Sequence, residues 1–201
     1  MWQAVYDSLK DDNFVLITVA LDANPDDVRP WIEAAQPQHP SLIDTQFHLS
    51  DLYGIVNVPM ALWIDENGRI VRPNDVVFST DTFRSFIDLD SEKALDKLKT
   101  WVQQNDSGLD EAQVRELQAL PTEDMQQARA EFGLGLWLAK QGYVESAELF
   151  FVRAGELAPH DFTIRRGSMP SRGQDPFGEQ FRQMVSAWRK AGHNYYNPLP
   201  D

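Results

Sequence analysis

The chain has 201 residues and a mass of 23.0 kDa, the size of one medium domain or two small ones. With 42% apolar and 24% charged residues it has enough apolar material for a core and is too polar for a membrane protein. Its net charge of −13 argues against a nucleic-acid partner, and the absence of cysteine removes disulfides, thiolate nucleophiles, cysteine zinc sites and iron–sulfur clusters together.

The first ten residues lack the charged start and apolar run of a signal peptide, so the default compartment is cytoplasmic. Trp2, Val5, Tyr6 and Leu9 fall on one face of a helix. Phe14 to Asp22 is an unbroken apolar and β-branched run, which predicts a strand covered on both faces. Asn24-Pro25-Asp26-Asp27 starts a helix that should carry Val28, Trp31 and Ile32 inward, and Pro37 and Pro40 end it. Val58 to Ile64 is a second strand. Asp65-Glu66-Asn67-Gly68 then turns the chain into a returning strand over Arg69 to Arg72. Asp90 or Ser91 caps a helix whose apolar face is Ala94, Leu95, Leu98, Trp101 and Val102.

Asn105-Asp106-Ser107-Gly108 reads as a linker. Beyond it the periodicity is helical, over about 110–119, 122–140 and 144–157. Three units result: an α/β layer over 1–104, a helical unit over 109–161, and a tail over 162–201. The tail carries six basic residues against three acidic ones, a net of +3, which leaves −16 on the rest. A basic tail on an acidic body is expected to pack back onto it, with a short helix at about 177–190 and Trp188, Tyr195 and Tyr196 as staples.

Residues 1–104 resemble the thioredoxin-like redoxins, which include thiol-disulfide reductases and peroxiredoxin relatives. The resemblance runs through Phe14–Asp22, Asp44, Leu52-Tyr53-Gly54-Ile55 and above all Val58-Pro59-Met60-Ala61-Leu62-Trp63-Ile64-Asp65-Glu66-Asn67-Gly68-Arg69-Ile70. It implies a thioredoxin-like three-layer α/β fold and a cis Val58–Pro59 bond bordering the family's cleft. The family's first strand and Cys-x-x-Cys motif would precede the helix at Trp2, so the chain reads as a redoxin truncated before that helix. If Met1 is the native start, the protein is a truncated relative; if not, the reactive half lies upstream. Without that strand, the strands at Phe14–Asp22 and Met60–Asp65 have bare inner edges. They could pair directly. Val76-Val77-Phe78 or Phe162-Thr163-Ile164 could fill the slot, or a second subunit could supply a strand.

Ala128 to Asp161 is similar to one tetratricopeptide repeat, through Leu134-Gly135, Leu138, Gly142-Tyr143, Ala147, Phe151, Ala154 and Pro159. Gly135 and Ala147 let two helices approach closely, and Glu131 stands where the repeat has Trp. A single repeat cannot bury its own faces and must pack on 109–120, on the tail or on a partner.

No catalytic, cofactor-binding or metal-ligating set stands out. His39, His48, His160 and His193 lack ligand spacing, and no catalytic-triad order or phosphate loop occurs. The candidate binding surface is Val58 and Pro59, with Asp22 at a strand end and Arg165, Arg166 and Arg172. The three arginines lie in the Gly- and Pro-rich stretch 165–178, which reads as a loop. They serve either an anion or the acidic body. The functional expectation is a non-catalytic interaction or scaffold protein that self-associates or binds a protein partner, with no cofactor, nucleic acid or membrane. The alternative is a fragment or accessory subunit of a thiol-disulfide oxidoreductase whose cysteine pair is supplied upstream or by a partner.

Overall fold

A computed structural model of the chain describes residues 2–76, 90–118, 120–196 and 199. The fold mixes helix and strand, with helix predominating. Helix α1 (Trp2–Leu9) leads through an extended stretch to β1 (Thr18–Leu21), α2 (Pro25–Ala35), β2 (Ser41–Asp44) and α3 (His48–Leu52). The hairpin β3 (Ala61–Ile64) and β4 (Ile70–Asp75) follows, then α4 (Ser91–Gln104). Helices α5 (Glu111–Leu117), α6 (Glu123–Lys140) and α7 (Val144–Leu157) come next. The tail forms α8 (Phe162–Arg165), a 3-10 turn (Pro170–Arg172) and α9 (Glu179–Lys190).

Local chemistry sets these boundaries. The Asn24 side chain accepts the Asp26 N–H and Pro25 opens α2. Asp90 caps α4 through the N–H groups of Glu92 and Lys93, and Asp110 with Gln113 forms a capping box on α5. In the β3–β4 turn, Asp65 accepts the Asn67 and Arg69 N–H groups and Gly68 takes φ 77°. Those three N–H and amide contacts, Arg69 first, hold the exposed Asp65 carboxyl below the usual range.

The strands form two separate two-stranded sheets, β1–β2 parallel and β3–β4 antiparallel. Direct pairing of β1 with β3 is therefore not how the chain closes. Phe162-Thr163-Ile164 does not fill the slot either, because these residues are helical and Asp161 caps them. Val77 and Phe78 lie outside the described residues. The first strand is also shorter than the apolar run. Residues 14–17 are extended but unpaired, and Val15 and Ile17 are exposed while Phe14 and Leu16 are not. That alternation marks one covered face rather than two. Trp31 is 78% exposed, since α2 buries no residue and only Pro25, Val28 and Ile32 turn partly inward.

Among the described residues, two apolar clusters hold the molecule. In one, Leu9, Trp63 and Leu98 are buried with Val5, Phe14, Val71, Trp101 and Val102 against them. Trp63 stacks on Trp101 at 5.2 Å and carries Arg72 on its ring. In the other, Phe47 and Ile164 meet Ala128, Phe132, Ala147, Phe151, Ala154 and Ala158. Leu21 and Ala23 at the end of β1 pack on it. The helical hairpin thus packs on Phe47 and on Ile164 of the tail, and one core crosses the expected boundary at the linker.

In the hairpin, Gly135 faces Phe151 and Glu131 pairs with Arg153, so α6 and α7 run antiparallel. Two glycines on α6 separate propensity from packing. A Cβ on Gly133 meets nothing within 4 Å, whereas one on Gly135 would come to 2.7 Å from the buried Phe151 ring. Gly133→Ala should stabilise by roughly 0.5–1 kcal/mol through helix propensity. Gly135→Ala should destabilise by about 1–3 kcal/mol through overpacking. Urea unfolding of both variants checks this; equal signs would refute the close approach.

Candidate interaction site

Residues 55–58 approach β3 as an irregular segment, and every one of them is tied down. The carbonyl of Ile55 accepts from Arg129 Nη2 at 2.8 Å, and that of Val56 accepts from the Phe162 N–H at 2.7 Å. Asn57 is 2% exposed. Its Oδ1 accepts the Val58 N–H at 2.9 Å, which turns its Nδ2 towards the Tyr195 carbonyl at 2.7 Å. The Val58 carbonyl accepts from the Tyr196 hydroxyl at 2.7 Å. The Val58–Pro59 bond is cis.

The aromatic tail therefore docks on the residues that were singled out as a binding surface. Tyr195 lies edge-on to Phe162 at 4.6 Å and to Tyr196 at 4.7 Å, with Phe181 at 6.1 Å. Trp188 packs edge-on to Phe162 at 6.1 Å, stacks on His193 at 4.0 Å, and donates its indole N–H to the Asn194 carbonyl at 2.9 Å. The Leu199 N–H reaches Asp75 Oδ1 at 3.3 Å, at the end of β4. Burial raises the hydroxyl pKa of both tyrosines above the usual value, and Tyr195 beside Tyr196 pushes the latter further. Both directions keep the phenols protonated, as a hydroxyl donor to Val58 must be. No family model, no curated protein and no solved structure matches this chain.

Of the other singled-out residues, Arg165 and Arg166 border this site, the first over Phe162 and the second over Phe181 and hydrogen-bonded to Tyr195. Asp22 is half-buried and accepts the Asn24 N–H at 3.0 Å; burial raises its pKa. The stretch 165–178 is not wholly loop, since α8 takes in Arg165 and a 3-10 turn ends at Arg172. Each arginine there has a protein partner of its own. Arg165 donates to the Pro159 carbonyl and covers Phe162; Arg172 forks onto Glu148 at 2.6 and 2.7 Å. Arg166 lies over Phe177 at 4.2 Å and Phe181 at 4.9 Å. This is the arrangement of arginines serving their own body.

Beneath the site lies a buried ion pair that no sequence signal announces. Arg129 pairs with Asp161 and also donates from Nη1 to Ser50 Oγ at 2.7 Å. Asp161 accepts the Thr163 hydroxyl at 2.6 Å and the Thr163 and Ile164 N–H groups. Burial pushes the Asp161 carboxyl up, opposed first by the Arg129 charge. Among the described residues no helix is long and apolar enough to cross a membrane, and no cluster of three or more His, Asp or Glu residues could hold a metal.

Proposed function

We propose that the chain is a non-catalytic interaction protein: a thioredoxin-like α/β layer bearing a tetratricopeptide-type hairpin, which self-associates by taking an extended strand of a second copy between β1 and β3. One observation carries the reading. Among the described residues, β1 pairs only with β2 and β3 only with β4, which leaves an inner edge on each. Phe14, which precedes β1, packs in the cluster that contains Trp63 of β3, which supports placing the two edges near one another. An unpaired edge presents a row of donors and acceptors that a strand satisfies. Exposed Val15, Ile17 and Ile64 supply apolar flanks for it. The order of strands and helices and the Val58–Pro59 junction fit the family resemblance. Thiol-disulfide exchange needs a thiolate, and the sequence has no cysteine.

Light scattering with size exclusion at micromolar concentration tests this. The Thr18 N–H donates to the Pro40 carbonyl on the β2 side, so alternation turns the Val19 N–H to the open edge. Val19→Pro should leave the β1–β2 ladder intact and convert a dimer to a monomer. A strict monomer in the unaltered chain would overturn self-association. Reduction of insulin disulfides by the purified chain would overturn the non-catalytic reading.

A further inference from the structure

The seat that holds the tail has the features of a peptide-recognition site already carrying a ligand. We infer that Asn57, Val58, Phe162 and Phe181 form a docking seat for a segment of a partner protein that carries two adjacent tyrosines, and that His193–Tyr196 is its resident, displaceable occupant.

What fills the seat defines what it recognises. Asn57 is buried, and its amide is oriented by the Val58 N–H, so Nδ2 is a fixed donor waiting for a backbone carbonyl. The Val58 carbonyl is a fixed acceptor waiting for a phenolic hydroxyl one residue on. Phe162, itself 2% exposed, and Phe181 present ring surfaces to the first aromatic residue of the pair. A backbone that bends at the first of two adjacent tyrosines satisfies all of these together. The Asn57 donor and the Val58 acceptor lie before β3, and the Phe162 and Phe181 rings lie on α8 and α9, so all four stay in place when only residues 193–196, beyond Gly192, leave.

The tail is attached in a way that allows it to leave. Gly192 follows α9 at φ 88°, a conformation that glycine adopts without strain and that gives a pivot between helix and aromatic pair. A tethered occupant competes at an effective concentration on the order of millimolar, so the seat should admit a partner only when that partner binds better or the tail is weakened. This inference concerns a different surface from the β1 and β3 edges and stands or falls apart from it.

The test uses the full chain and a fluorescein-labelled peptide of residues 193–199, read by fluorescence anisotropy. Tyr195→Ala/Tyr196→Ala, with its fold checked by circular dichroism, should bind the peptide about ten-fold or more tightly than the unaltered chain. Tyr196→Phe removes one hydroxyl with little risk to folding and should give a smaller gain in the same direction. Adding Asn57→Ala to either variant should abolish the gain. Val19→Pro should leave peptide binding unchanged while it alters association. Equal affinity in the unaltered and variant chains, no binding by any of them, or a gain that survives Asn57→Ala would each overturn the inference.

Discussion

Arg129→Met should lower the unfolding free energy by about 3–5 kcal/mol, because it leaves the Asp161 carboxylate buried without its counter-charge. The Arg129 and Asp161 side chains are 11% and 3% exposed, so solvent screens little of the interaction. The loss is compounded at Ser50 Oγ and at the Ile55 carbonyl, which both accept from the same guanidinium. Asp161→Asn in the Arg129→Met background should recover much of the deficit. The amide oxygen still accepts the Thr163 and Ile164 N–H groups at the start of α8, while the charge is gone. The pH dependence has a definite sign. Burial already raises the Asp161 carboxyl above its unfolded value, and removing Arg129 takes away the largest opposing cause. A raised folded pKa favours the native state at low pH and costs stability as pH rises past the unfolded value near ~3.9. The Arg129→Met deficit should therefore shrink as pH falls from 7 towards 4, and Arg129→Met/Asp161→Asn should show less of that dependence. Urea midpoints at three pH values measure it. A deficit under 1 kcal/mol at pH 7, or one that grows in acid, would refute the account.

That ion pair also ties together segments that the sequence places in different units. Arg129 comes from α6, Asp161 from the start of α8, and their acceptors Ser50 and Ile55 flank the end of α3. The apolar cluster around Phe47 spans the same elements. A shift of the tail helix is thereby coupled to residues 55–58, and so to the seat of Tyr195 and Tyr196.

Much of this was legible in the sequence where local signals are strong. Helices α6 and α7 lie within a residue of their expected limits, because Pro121, Gly142 and Pro159 punctuate them. The Asn67-Gly68 turn joins β3 and β4 as its dipeptide requires. Two readings failed and one strand was missed for a shared reason: local pattern cannot report what covers a face. Phe14–Asp22 is uniformly apolar, yet only Thr18–Leu21 finds a neighbour to pair with. β2 has four residues with Leu42 exposed, too short and too open for a period to show. Trp31 lies on the expected apolar face of α2, yet that helix buries nothing. For the site, the tyrosine pair announced a staple but not its destination. The bonds from Asn57 to Tyr195 and from Tyr196 to Val58 each span 138 residues. Asn57 itself carried one faint signal, an amide directly before a Val-Pro pair, where its oxygen can take the next N–H.

Gly167→Ala should cost upwards of about 3 kcal/mol, at the far end of overpacking effects. A Cβ there would stand 2.1 Å from the Thr163 carbonyl oxygen and 2.9 Å from the Phe47 ring. Neither neighbour can retreat cheaply. The Thr163 carbonyl accepts the Gly167 N–H at 3.2 Å in the backbone that continues α8. Phe47 is buried, sits at φ 60° and packs edge-on to Phe132 at 5.0 Å. Relief must therefore come from moving α8, which carries Ile164 into the core and Phe162 into the tyrosine seat. Two companions identify the cause. Gly155→Ala in α7 would meet Arg165 Cγ at an ordinary 3.7 Å and should be neutral or stabilising by a few tenths to about 1 kcal/mol. Phe47→Leu added to Gly167→Ala thins the ring contact but leaves the carbonyl in place, so it should not rescue stability. Rescue by Phe47→Leu would shift the blame to the ring, and a Gly167→Ala chain as stable as the unaltered one would show that α8 is free to move. Loss of the Gly167→Ala chain's tail docking, seen as faster hydrogen exchange over residues 193–196, is the functional counterpart expected from the same displacement.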